Sequence, residues 1–137
     1  YDRVLAIRKS GTYSVHDAPE KLFVDKGLLF CGFIDPERIY TLIYRDSKTG
    51  YAYIKRCHIE KFILNRGYDL VPEGCTVLKF TTDTNLKIVL DYKPKPRVRI
   101  LQEEFNSEDY AIRANRAKGI RLAVRDTKSA RLVSLDD

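Results

Sequence analysis

The sequence predicts an all-β fold in which a hairpin-based unit is repeated. Short runs of β-branched, aromatic and other apolar residues recur along nearly the whole chain, and glycine, aspartate and asparagine separate them. The same order of strand, turn, strand, polar connection and strand returns three times, at a spacing of about 35–50 residues that is typical of repeat architectures. Because one such unit cannot bury its own apolar faces, we expect about three four-stranded blades stacked as an open or incomplete propeller-like ring.

The length of 137 residues suits one domain. We place its repeats at approximately residues 3–37, 38–74 and 75–135. Because the chain opens on a tyrosine rather than a methionine, we expect it to be a fragment of a longer chain.

The first unit begins with a hairpin. Residues 3–8 and residues 12–15 are β-type runs on either side of Ser10-Gly11, a pair typical of a tight turn. Residues 27–34 follow as an apolar strand that ends at an Asp-Pro pair.

The second and third units are predicted to repeat this hairpin. In the second, residues 38–44 return as residues 51–56 around a turn that contains Gly50. In the third, residues 76–80 are expected to return as residues 86–90 around a polar turn.

The last third of the chain has weaker patterns. Residues 97–100 alternate arginine with valine and isoleucine, which predicts a strand with both arginines on one face. Residues 107–111 are the only helix-like stretch, and Ser107 suits the cap of a single turn. Residues 131–135 can close a sheet as a final strand.

Charge and cysteine content narrow the functional classes. The net charge is +6, and residues 93–131 hold 11 Lys/Arg against 5 Asp/Glu, so a polyanion-binding surface is expected there. The three cysteines form no C-x-x-C pair, which favours a cytosolic protein with reduced thiols. No apolar run approaches the ~20 residues of a membrane span, and no signal peptide is expected from the first residues.

Two motifs carry a resemblance to a known family. Residues 49–56, Thr-Gly-Tyr-Ala-Tyr-Ile-Lys-Arg, resemble the return strand of a blade in the C-terminal domains of the A subunits of DNA gyrase and topoisomerase IV. Residues 112–120 are similar to the basic, glycine-containing loop of such blades, and residues 11–27 fit the same frame without the Lys-Arg pair. The resemblance covers about residues 3–124.

The resemblance implies a β-pinwheel, a propeller-like disc whose basic rim binds or wraps duplex DNA. Gyrase also carries a Gln-Arg-Arg-Gly-Gly-Lys-Gly box for chiral wrapping, and residues 113–119 lack its glutamine and paired glycines. This departure favours a topoisomerase IV-like domain that binds or bends DNA without strong wrapping. The catalytic tyrosine of the family lies in a separate domain.

The implied partners are duplex DNA, the remainder of the topoisomerase polypeptide to which such a domain belongs, and the ATPase subunit of the same enzyme. The expected parent is an ATP-dependent type II topoisomerase of the bacterial cytoplasm, associated with the nucleoid. The fragment itself is expected to be non-catalytic, without a cofactor and away from membranes.

DNA binding of this kind needs cations along one edge, because each neutralised phosphate releases counterions. Such contacts position the duplex without reading its sequence. The candidate DNA-binding residues are Lys55, Arg56, Arg66, Lys93, Lys95, Arg97, Arg99, Arg113, Arg116, Lys118 and Arg121. As a set they indicate an electrostatic rim, although each taken alone also suits an ordinary solvated surface.

Other side chains have two interpretations. Gly119 suits a positive φ or close approach of DNA, or a plain turn. Tyr51, Tyr53 and Phe62 suit base stacking, but their strand positions favour core packing. Adjacent Cys57 and His58 point to opposite faces of a strand, so neither a zinc site nor a Cys-His nucleophile is expected.

Two other functional classes stay open at this point. A protein-interaction module of the β-propeller type shares the repeats and needs no basic face. A small β enzyme requires a pocket of converging titratable groups with perturbed pKa values, and the sequence offers no converging set.

Overall fold

The computed structural model describes residues 3–17 and 27–135, and nearly all of their regular structure is β-strand. The all-β prediction is confirmed. The strands of the described residues are β1 (Arg3–Arg8), β2 (Thr12–Asp17), β3 (Leu28–Phe33), β4 (Tyr40–Asp46), β5 (Ala52–Cys57), β6 (Tyr68–Asp69), β7 (Cys75–Thr81), β8 (Leu86–Tyr92), β9 (Gln102–Asn106), β10 (Ile112–Arg113), β11 (Ile120–Arg121) and β12 (Thr127–Ser134).

Ser107–Asp109 form a single 3₁₀ turn after β9. The side chain of Asn106 accepts a hydrogen bond from the Glu108 backbone N–H and caps this turn. The prediction that Ser107 is the cap is therefore wrong by one residue, because the Ser107 hydroxyl donates to the Thr84 carbonyl instead.

Three sheets are each built around one antiparallel hairpin, and none of them closes on itself. The hairpins are β1–β2, β4–β5 and β8–β9. A later strand pairs with the first strand of each hairpin, so that β3 lies on β1, β7 on β4 and β12 on β8. We refer to these as the first, second and third sheets.

The second strand of a hairpin is covered by the part of the chain that follows the next hairpin. Strand β6, which follows β5, pairs with β2 of the first sheet. Strands β10 and β11, which follow β9, both pair with β5 of the second sheet. Consecutive units are therefore interlocked through their outer strands.

The prediction that residues 76–80 and 86–90 form a third hairpin is wrong. Strand β7 pairs with β4 of the second sheet, and β8 pairs with β9 and β12 of the third. The first two hairpin turns contain a glycine at positive φ, Gly11 at 86° and Gly50 at 77°, whereas no residue of 82–85 has a positive φ. Residues 82–85 therefore connect two sheets, and the boundary between the second and third sheets lies there rather than at Cys75.

Residues 97–100 do not form the predicted strand. Arg97 has a φ of 67° and lies in a turn closed by a hydrogen bond from the Val98 N–H to the Lys95 carbonyl. Pro94 and Pro96 remove two backbone donors directly before this point, which prevents a continuous ladder.

The second sheet is buried on both of its faces. Leu42, Tyr44 and Cys57 pack with residues of the first sheet in one core cluster. Ile43 and Ile54 pack with residues of the third sheet in another. This alternation follows from the two-residue period of a strand, which sends neighbouring side chains to opposite faces.

A polar contact joins the second sheet to the chain before β12. Arg45 donates from Nε to the Thr127 carbonyl at 3.0 Å and from Nη2 to Asp126 Oδ1 at 2.9 Å. A Cβ atom on Gly50 would lie 2.3 Å from the same carboxylate oxygen, so only glycine fits beneath it. The hydrogen bond from Arg45, helped by the charge of Lys93, lowers the pKa of Asp126.

We expect Asp126→Asn to destabilise the domain at neutral pH by about 1 kcal/mol, because the charged hydrogen bond to Arg45 becomes a neutral one. A carboxylate whose native pKa is lowered contributes stability above its unfolded pKa of about 3.9 and loses it as the pH falls through the native pKa. The difference between the variant and the unmodified domain should therefore shrink below about pH 4 in urea denaturation.

Asp83→Asn is the matched control, since Asp83 is exposed and forms none of the described ion pairs. A stability difference for Asp126→Asn that stays constant from neutral to acid pH would contradict the charged contact.

Candidate nucleic-acid interface

Residues 110–127, here called the edge segment, run along the outer edge of the second sheet. Strand β10 pairs with β5 in parallel at Arg56 and Cys57, and the chain then turns back. Strand β11 pairs antiparallel with Ile54 and Tyr53, and the Thr127 N–H finally donates to the Gly50 carbonyl at 2.8 Å. The edge segment thus covers β5 from one end to the other.

The edge segment is strongly basic. Between residues 110 and 125 it has five arginines and lysines and no acidic residue. Asp126, which follows, is engaged by Arg45. The segment that covers the first sheet, residues 58–74, has two basic residues against three acidic ones. The two equivalent edges therefore differ in charge, and only the second suits a polyanion.

Four cations of the edge segment project into solvent without an acidic partner. Arg113, Arg116, Lys118 and Arg121 are exposed, and none takes part in an ion pair within residues 3–17 and 27–135. The fifth, Arg125, lies with its Nε 3.4 Å from Glu103 Oε1. The four free cations are available to a ligand at no cost in broken ion pairs.

An open groove of about 490 Å³ lies at the Cys57 end of this edge. Lys61, Arg113 and Arg116 bring three cations to its lining, with Glu60 as the acidic member. Lys61 comes from the second unit and reaches the groove because its segment covers the neighbouring sheet. Sequence reasoning missed Lys61, because no local pattern distinguishes it from other surface lysines.

A smaller groove lies at the opposite end of the edge, beside Gly50. Lys93, Lys95 and Arg125 line it together with Tyr51 and Val98. Arg97 and Arg99 flank Val98 in the chain and are exposed, and Lys93 Nζ lies 3.8 Å from Asp126 Oδ1. The structure therefore places the predicted residues of the 93–99 loop at the far end of the row formed by the edge segment.

Arg66 is not part of this row. It lies on the segment that covers the first sheet, and its guanidinium carbon is 5.6 Å from the centre of the Tyr68 ring. It is exposed, so its predicted role is neither supported nor contradicted by its position.

Lys55 and Arg56 do not belong to an exposed basic face, which corrects their assignment as phosphate ligands. Their exposed fractions are 3% and 5%. Lys55 donates to the carbonyls of Leu70 and Asn115, and Arg56 donates to carbonyls of the third unit. Both faces of β5 are covered, so alternation along the strand leaves neither side chain a route to solvent.

Gly119 is required by protein packing and not by a positive φ. A Cβ atom there would lie 2.6 Å from the Tyr44 hydroxyl oxygen and 3.0 Å from the Ile54 carbonyl oxygen. The Gly119 N–H donates to the same Tyr44 hydroxyl at 3.0 Å. The glycine thus lets the edge segment lie directly on the second sheet.

Core packing is confirmed for two of the three aromatic residues considered for base stacking. Tyr53 stacks on Tyr44 with ring centres 5.3 Å apart, and Phe62 packs against the first core cluster. Tyr51 is half-buried in the lining of the smaller groove.

Residues 3–17 and 27–135 contain no cluster of three or more His, Cys, Asp or Glu side chains suited to a metal ion. Burial raises the pKa of the Cys57 thiol to about 11, which keeps it protonated at neutral pH. No helix in this part of the structure has the length and apolar content to span a bilayer.

Gly119→Ala is expected to destabilise the domain by roughly 1–3 kcal/mol, the usual cost of forcing an added carbon into a packed site. Urea denaturation measures the change. Gly67→Ala is the control, because a Cβ atom at Gly67 meets no atom within 4 Å and its φ is not positive. Equal stabilities of the two variants would show that the edge segment does not need this close contact.

The chain is similar to known proteins. The sequence model of a protein family described as topoisomerase C-terminal domain, Bacteroidota, matches residues 1–134. The A subunit of DNA topoisomerase 4 from Borreliella burgdorferi is 28% identical over 86 residues, which are 59% of this chain and 13% of that protein. The chain therefore spans a small part of this relative's length. No solved structure matches significantly.

Proposed function

Because the chain belongs to the topoisomerase C-terminal domain family described for the Bacteroidota, we propose that it is a non-catalytic domain that binds duplex DNA through the edge segment. The observation that carries the proposal is the row of exposed arginines and lysines along the outer edge of the second sheet, which have no acidic partner among residues 3–17 and 27–135. The DNA lies against this edge, from the groove at Arg113 to the groove at Lys93.

The dimensions of the edge suit a duplex. Strand β5 has six residues, and at about 3.3 Å per residue the row covers roughly 20 Å. Six base pairs of B-DNA occupy about the same length, since successive pairs are about 3.4 Å apart. Cations at both ends and in the middle of the edge therefore meet several phosphates of one duplex face.

The contacts expected here are electrostatic and independent of base sequence. Arginine and lysine side chains on a sheet edge reach phosphate oxygens, and such contacts fix the position of a duplex without identifying its bases. The domain thus holds a DNA segment close to the attached topoisomerase core and orients it for ATP-dependent strand passage. Because residues 113–119 lack the paired glycines of the gyrase box, binding or bending is proposed rather than strong wrapping.

The quadruple variant Arg113→Ala, Arg116→Ala, Lys118→Ala and Arg121→Ala is expected to weaken duplex binding. Each lost phosphate contact makes the slope of log affinity against log salt less negative by about 0.9, so the expected change is roughly 3–4. Fluorescence anisotropy between about 50 and 200 mM salt measures it. Two duplexes of unrelated sequence should give the same result.

The matched control removes four exposed lysines elsewhere, Lys9, Lys48, Lys79 and Lys128, and has the same net charge. It should retain most of the salt slope. Equal losses in both variants would show that only net charge matters. Absence of salt-dependent binding by the unmodified domain would overturn the proposal and favour a protein-interaction module.

A further inference from the structure

Two buried cations of β5 have no role in the DNA face described above. Lys55 and Arg56 are neighbours in the strand, so their side chains leave it on opposite faces. Burial lowers the pKa of the Lys55 ammonium, the direction expected for a cation removed from water. Burial of a cation costs desolvation free energy unless the cation is well hydrogen-bonded. The groups to which these cations donate therefore indicate their structural role.

Lys55 connects the two covering segments. Its ammonium donates to the Leu70 carbonyl of the segment on the first sheet and to the Asn115 carbonyl of the edge segment, both at 2.6 Å. The Asn115 side chain itself is buried and donates to the Tyr13 hydroxyl. Asn115 lies between Arg113 and Arg116, so this contact fixes the chain at the centre of the basic loop.

Arg56 holds the start of the same stretch from the other face. Its Nη1 donates to the carbonyls of Ser107 and Tyr110 at 3.0 and 2.8 Å. Its Nη2 lies 3.5 Å from Glu108 Oε1. The guanidinium thus binds both the 3₁₀ turn and Tyr110, the residue where the edge segment begins.

Apolar packing holds the two ends of the loop, where Tyr110 and Ile120 lie against the second core cluster, more than its middle. Ala111, Ile112 and Ala114 are all exposed, and Ile112 retains 41% of its accessible surface. Between Tyr110 and Ile120, the described contacts with the body of the domain are mainly the short β10 pairing and hydrogen bonds. The middle of the loop is therefore anchored mainly by hydrogen bonds to the second sheet, in which Lys55 donates and the Tyr44 hydroxyl accepts.

We propose that Lys55 and Arg56, here called the cation clasp, are positioning residues that order the edge segment before DNA arrives. This inference rests on the proposed function. The clasp cations touch no phosphate. They fix the backbone that carries Arg113, Arg116 and Lys118, so that binding does not have to order a loose loop.

Hydrogen–deuterium exchange of the free domain tests the ordering role. Lys55→Met removes the ammonium, and Arg56→Lys keeps the positive charge but loses the forked donor geometry. Both are expected to speed exchange of the amides of residues 110–121 by at least about tenfold. Leu5→Ala is the control, because it weakens the first core cluster, which includes no residue of 110–121.

Duplex DNA binding of the same variants tests the consequence. Both clasp variants are expected to lose about tenfold in affinity through the ordering cost, with a change in salt slope below about 0.5. A direct phosphate contact predicts otherwise, namely a slope change of about 0.9 for Lys55→Met and normal binding by Arg56→Lys.

The outcomes are separable. The inference is overturned if exchange of residues 110–121 in the clasp variants only matches that in Leu5→Ala, or if the direct-contact pattern is observed. If Lys55→Met does not fold, Arg56→Lys alone decides by the same criteria. Absence of salt-dependent binding by the unmodified domain overturns the proposed function and the DNA consequence, while the exchange comparison still decides the ordering role.

Discussion

The central constraint on this structure is that the second sheet has no free face. The first sheet covers one side and the third sheet the other, so the side chains that β4 and β5 direct at either face enter one of two cores. Solvent reaches this sheet chiefly at its edges, and the chain of the following unit covers the edge formed by β5. A ligand that approaches the β5 edge must therefore be recognised by the covering segment and not by the strand itself.

Local sequence patterns predict some of the strand pairings in this fold and not others. The first two hairpins follow from alternating apolar runs and from Gly11 and Gly50, whose positive φ is a local requirement. The predicted third hairpin is wrong because β7 pairs with β4, which lies far from it in the sequence, rather than with the next strand. A turn-like stretch at 82–85 is compatible with a hairpin and with a connection between sheets, and local sequence does not distinguish them.

The site shows the same division. The basic composition of residues 110–125 is visible in the sequence, and all four predicted cations of that stretch are exposed. The Lys55-Arg56 pair carried the family resemblance, yet both residues are buried. A recurring motif indicates that its residues are needed, but it does not show whether they bind a ligand or support the fold. Lys61 joins the groove only through the interlocking of units, which no local pattern encodes.

The interlocking of outer strands has a consequence for how such domains change in evolution. A sheet whose fourth strand comes from its successor is not a self-contained module, so a cut between residues 81 and 86 would leave β5 without the strands that cover it. Duplication or loss of an interior unit must preserve strand pairing with both the preceding and the following unit. A change at a terminal unit affects pairing with one neighbour. Variation in repeat number within this architecture should therefore accumulate at the ends of the array.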